Sequence, residues 1–239
     1  MAAAGDMIPI PKGTGIIMGY LALPKGEGTH PGMVVVHEWW GMTDWVKERT
    51  DSLAALGYVA LAADLFGGRV AHSSDTAHQL MNGLVEEDAI ASLRAAADYL
   101  RSRKDVRAQA LGTIGWCMGG GYAIRLAAAD PGIRAVVMYY GAPIADPKKV
   151  KAIQAAVLGN FGGEDQGPTP AQVQTFEKDL RKAGKKVDFK IYPGASHAFA
   201  NSTNPFGTYK PDAAEDAWGR TVRFLDKELK KGSVPKGSR

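Results

Sequence analysis

Unbroken apolar runs, separated by stretches in which apolar positions recur every three or four residues, organise this chain. The runs over 33–36, 58–63, 110–116, 134–140 and 155–161 lack the alternation of a half-exposed strand. They therefore predict parallel strands buried on both faces. Residues 15–23 alternate loosely and read as an antiparallel edge strand, while 187–192 alternate as the strand after 155–161. A 3.6-residue period predicts helices over 44–56, 84–103, 122–129, 170–183 and 211–230. Thr43 and Thr169 stand at N-cap positions, Pro170 and Pro211 suit a first helical turn, and Gly57 and Gly184 follow helix ends. Strands alternating with helices predict one α/β domain over 1–231, a mostly parallel twisted sheet of about seven or eight strands with helices on both faces. No linker or internal repeat divides it, and the Gly/Ser/Pro/Lys segment 232–239 reads as a disordered basic tail.

The most distinctive junction is Gly115-Trp116-Cys117-Met118-Gly119, where an apolar run ends in a small-residue turn bearing the only cysteine. A nucleophile on a tight strand-to-helix turn needs glycine two residues to either side, because neighbouring backbone crowds those positions. The following helix points its amino end at the sulfur, which favours negative charge there and on a developing oxyanion. The same residues also suit a small core cysteine beside a turn, so the rest of the chain must decide.

The turn matches the nucleophile elbow of the α/β-hydrolase fold, in which an acid and then a histidine follow along the chain. Gly162-Gly163-Glu164-Asp165 follows the run 155–161, and Pro193-Gly194-Ala195-Ser196-His197-Ala198-Phe199 follows 187–192. Cys117, an acid and His197 thus leave the same edge of one sheet. His197 would take or share the thiol proton, and the acid would fix its tautomer; spacing does not separate Glu164 from Asp165 in that role. The loop His37-Glu38-Trp39-Trp40-Gly41 follows the first parallel strand. In this fold it supplies one oxyanion donor and the residue after the nucleophile the other, here the amides of Trp39 and Met118. His37-Glu38 opens like a zinc-binding helix, but Gly41 stands where its second histidine belongs, so no metal is expected.

Glu38, the cysteine elbow, Gly-Gly-Glu-Asp165 and Gly-Ala-Ser-His197-Ala-Phe199 together resemble the dienelactone hydrolase family. The segments Pro31-Gly32-Met33-Val34-Val35-Val36, Gly57-Tyr58-Val59-Ala60, Ala63-Asp64-Leu65-Phe66 and Tyr139-Tyr140-Gly141 extend that resemblance over residues 16–229. It implies a hydrolase that opens enol lactones through a thioester, without metal or organic cofactor. It also favours Asp165 over Glu164, and makes Glu38 the acid that neighbours the cysteine and takes its proton. One departure concerns substrate: the family's carboxylate-clamping arginine, four residues after the histidine, is Asn201 here. A neutral amide does not replace a bidentate cation. Arg69 is a candidate for the family's other clamping arginine, with a plain exposed arginine as the alternative. Trp40, Tyr139 and Phe199, with Trp39, Trp116 and Tyr140, are candidates to line an apolar pocket, although Trp116 and Tyr139 equally suit a core. A general carboxylesterase, thioesterase or peptidase stays open, as does a non-catalytic ligand-binding or thiol-sensing protein.

Charge and cysteine usage narrow the partners. The net charge is +4, but Lys and Arg are interleaved with acids, which argues against nucleic acid. A single cysteine excludes an intramolecular disulfide. Residues 1–6 lack the basic and apolar regions of a signal peptide, and no stretch is long enough to span a membrane. These features predict a cytoplasmic protein, monomer favoured, that meets a small lactone or ester and neither nucleic acid nor membrane.

Overall fold

Residue parity along the strands decides which helix covers which face of the sheet. The structure, a computed structural model, describes residues 4–230, so the tail at 232–239 lies outside the described residues. Its strands are β1 (Asp6–Lys12), β2 (Gly15–Ala22), β3 (His30–Val36), β4 (Val59–Ala63), β5 (Val106–Trp116), β6 (Ile133–Tyr139), β7 (Ala156–Gly162) and β8 (Val187–Tyr192). They form one sheet in the order β1-β2-β4-β3-β5-β6-β7-β8. The β1–β2 and β2–β4 pairs are antiparallel, and the remaining pairs are parallel. The helices are α1 (Asp44–Ala55), α2 (Ser74–Asn82), α3 (Glu86–Ser102), α4 (Met118–Ala129), α5 (Pro147–Ala152), α6 (Pro170–Lys182) and α7 (Pro211–Leu225).

Val34 and Val36 of β3 pack with Leu93, Ala96, Ile124, Val173 and Phe176, on the side covered by α3, α4, α5 and α6. Met33 and Val35 point the other way and pack with Trp45, Leu53, Ala217 and Leu225 of α1 and α7. Burial on both faces explains the unbroken apolar runs of the central strands. No helix among the described residues is long and apolar enough to cross a membrane.

The structure differs from the sequence expectation in four places. The strand expected at the edge, β2, is covered by β1, which buries only Ile10 fully and carries Pro9 and Pro11. Proline is tolerated at an edge because it has no N–H to offer a further strand. The helix after Cys117 starts at Met118 rather than at 122. The short helices α2 and α5 also form, and the last helix leaves α geometry at Leu225 and finishes as a π turn, Asp226–Lys230.

Candidate active site

Four strands deliver the candidate residues to one edge of the sheet. Glu38 follows β3, Cys117 follows β5, Asp165 follows β7, and His197 follows β8. Cys117 adopts φ 55° and ψ −123°, a left-handed backbone that for a side-chain-bearing residue costs roughly 1–3 kcal/mol. Its amide donates to the Tyr139 carbonyl at 3.0 Å, and its carbonyl accepts from Gly120 N at 3.0 Å. The flanking glycines have a steric cause: a Cβ on Gly115 would lie 2.1 Å from the Gly119 oxygen, and one on Gly119 would lie 2.2 Å from the Val36 oxygen. Neither position has room for a side chain.

His197 and Asp165 form the second part of the site. Asp165 is 1% exposed; its Oδ2 lies 2.9 Å from His197 Nδ1, and its Oδ1 accepts from Gly167 N at 2.8 Å. With Nδ1–H donated to Asp165, the other ring nitrogen is left for the cysteine side. Burial opposes charge on this ring, but hydrogen bonds and charge from Asp165 and Cys117 outweigh it and raise the His197 pKa to about 10. Glu164, the rival acid, is exposed, lines the cavity and makes no hydrogen bond to His197.

Glu38 is 2% exposed beneath these residues. Burial pushes its pKa up to about 7, against the lowering effects of a hydrogen bond from Asn201, the His197 charge and the Tyr140 hydroxyl. Asn201 Nδ2 donates to Glu38 Oε2 at 2.6 Å, and Tyr140 makes a longer contact of 3.5 Å to Oε1. Burial, with Glu38 and Cys117 close by, raises the Tyr140 pKa well above its ordinary value, which leaves the phenol a donor. The Asn201→Ala variant removes a charge-assisted bond to the Glu38 carboxylate and should raise the Glu38 pKa by roughly one unit, which a kcat/KM profile would register as an alkaline shift of its acid limb. A profile unchanged in Asn201→Ala would mean that Glu38 does not govern that limb.

His37 supports the same loop and has no exposed surface. Its Nδ1 donates to the Glu38 carbonyl at 2.6 Å, and its Nε2 accepts from Leu65 N at 3.1 Å. Burial lowers its pKa, and acceptance at Nε2 requires the neutral ring with its proton on Nδ1. The amides of Trp39 and Met118 donate to no protein acceptor among the described residues, and both residues line the cavity that exposes Cys117.

That cavity, of about 530 Å³, has Cys117, His197 and Asp165 in its wall. Trp39, Met81, Met118, Tyr140 and Phe206 give it an apolar lining. Six expected pocket residues stand elsewhere, among them Trp116, buried in the core between Trp45 and Tyr139. Tyr139 is buried, with its hydroxyl 2.7 Å from Thr221 Oγ1 on the α7 side, because strand alternation turns it away while Tyr140 leaves the strand at φ 39°. Phe199 has no exposed surface and packs under Tyr140 at 5.4 Å. Asn201 is occupied by Glu38. Arg69 is exposed and donates Nε to the Phe66 carbonyl at 3.0 Å. Trp40 backs Trp39, with ring centroids 5.1 Å apart, without lining the cavity. The sequence reading missed Met81, which α2 contributes, although Ala77, Leu80, Met81 and Leu84 follow helical spacing behind the Ser73 cap. Phe206 and Thr208 carried no comparable signal.

Comparisons with known proteins place the chain in a family. The model of the dienelactone hydrolase family matches residues 17–229. "Protein usf" of Aquifex pyrophilus is 32% identical, over 94% of this chain and 99% of its own. An inferred carboxymethylenebutenolidase of Methylorubrum extorquens is also 32% identical, over 91% of this chain and 78% of its own. The crystal structure of an inferred dienelactone hydrolase from Klebsiella pneumoniae superposes with a TM-score of 0.86 at 26% identity, covering 93% of this chain and 98% of that one. With a family match running from β2 to the last helical turn, this chain belongs to the dienelactone hydrolase family.

Proposed function

We propose that the protein is a cysteine hydrolase that opens a lactone or cleaves a small carboxylic ester through a thioester intermediate. The observation that carries this reading is Cys117 at φ 55° in the wall of a cavity it shares with His197, whose Nδ1 lies 2.9 Å from Asp165. Family membership and the carboxymethylenebutenolidase name of the Methylorubrum relative support it.

In this mechanism Glu38 takes the thiol proton, and the sulfur attacks the acyl carbon. The Trp39 and Met118 amides hold the resulting oxyanion. His197, protonated at neutral pH, gives its proton to the leaving oxygen as the C–O bond breaks. In a lactone that oxygen stays tethered as a hydroxyl on the acyl chain. The now neutral His197 takes a proton from water, which attacks the thioester and releases the acid and the sulfur. Glu38 returns its proton once the sulfur is free. Asp165 orients the ring throughout.

Acid quench during turnover of p-nitrophenyl butyrate, followed by mass spectrometry, should find a butyryl group on the peptide containing Cys117, and hydroxylamine should remove it. Turnover with no acyl adduct on that peptide, or an adduct on another residue, would overturn the proposal.

A further inference from the structure

We infer that the cavity selects uncharged esters and lactones and discriminates against substrates that carry a carboxylate, a refinement that rests on the hydrolase reading above. Among the side chains lining the cavity there is no lysine or arginine; the ionisable groups are Cys117, Glu164, Asp165, His197 and the buried phenol of Tyr140. The charge of His197 is already matched by Asp165 at 2.9 Å. Arg69 and Lys210 stand outside the lining; Arg69 Nε bonds the Phe66 carbonyl, and Lys210 Nζ bonds the Gly194 carbonyl. Asn201 cannot serve as a neutral clamp either, since its Nδ2 is held by Glu38 and its Oδ1 accepts from Thr203.

A substrate carboxylate entering this site would lose water against Trp39, Met81, Met118 and Phe206 and find no free cation to replace it. At the mouth it would also meet the exposed carboxyl group of Glu164. The polar capacity left in the wall is uncharged. Gln166, Ser196 and Thr208 contribute its neutral hydrogen-bonding side chains. A neutral donor in an apolar wall gains from a ligand acceptor. The oxygens of an ester or lactone supply such acceptors without bringing a charge that needs a counter-ion.

A matched pair of substrates tests this: p-nitrophenyl methyl adipate and p-nitrophenyl hydrogen adipate differ only in whether the remote carboxyl is esterified. At low salt kcat/KM should favour the neutral ester by at least about tenfold. In Glu164→Gln the gap should narrow several-fold, mainly through KM of the acid. Equal kcat/KM for the two, or preference for the acid, would overturn the inference while leaving the hydrolase reading intact. If the parent turned over neither, the hydrolase reading would be at fault, and alkylation of Cys117 would still decide the matter. Glu164→Gln should raise the iodoacetate rate several-fold relative to the iodoacetamide rate, and an unchanged ratio would rule out this electrostatic selection.

Discussion

Replacing Cys117 by alanine should lower kcat/KM by at least about 10³-fold toward both a short p-nitrophenyl ester and a lactone, with the far-UV circular dichroism unchanged. The substitution removes one atom and keeps the Cβ, so the strained backbone at φ 55° and its amide bond to Tyr139 have no new reason to relax. What disappears is the atom that forms the acyl bond. Oriented amides and a bound substrate can still accelerate attack by water, so the loss should stop short of the uncatalysed rate. The Cys117→Ser variant separates position from chemistry. Its hydroxyl sits on the same turn, but the sulfur contributes to the raised pKa of His197, and an alcohol needs a stronger base than a thiol does. Serine should therefore lose most of the activity too, and recover part of it as pH rises. Intact turnover in Cys117→Ala would refute the nucleophile assignment.

The readable parts of the fold are those whose burial leaves a periodic trace. Met33–Val36 and the other central runs are apolar at every position because helices cover both faces, and α6 announces itself through Thr169, whose side chain caps Gln172 while Gln172 returns the bond. By contrast β1 has only Ile10 fully buried, and α2 buries only Ala77 and Leu80. Such elements are held by what they lie against, and their own periodicity carries little of the signal.

The site divides along the same line. Cys117, Asp165 and His197 sit in loops directly after strands, so strand order alone brings them to one edge. The walls depend on side-chain direction and on segments far apart in sequence, as when Phe206 comes to lie 6.0 Å from Trp39. One residue of strand register separates Tyr139, bonded to Thr221, from Tyr140 in the cavity. Asn201 was legible as the loss of a cation; its engagement with Glu38 emerges only from packing that joins positions 163 residues apart.

That engagement makes Glu38 the place where catalysis and stability oppose each other. The Glu38→Gln variant should be more stable than the parent at pH 8 and nearly equal to it at pH 5. Burial raises the folded-state pKa of Glu38 from an ordinary 4.5 to about 7. A carboxyl group with a raised folded pKa contributes stability that is full below pH 4.5, falls as pH rises and is lost above about 7. At pH 8 the parent thus holds a buried charge at a penalty on the order of 3 kcal/mol. Glutamine keeps an acceptor for Asn201 Nδ2 and removes the ionisation, so Tm at pH 8 should rise by about 5–10 °C. The same variant loses the group proposed to take the thiol proton, and kcat/KM should fall roughly 10²-fold. Stabilisation bought with activity is the usual exchange at a strained or charged site. Thermal unfolding at the two pH values separates this account from simple packing: an equal gain in Tm at pH 5 and pH 8 would mean that shape, and not buried charge, distinguishes the variant from the parent.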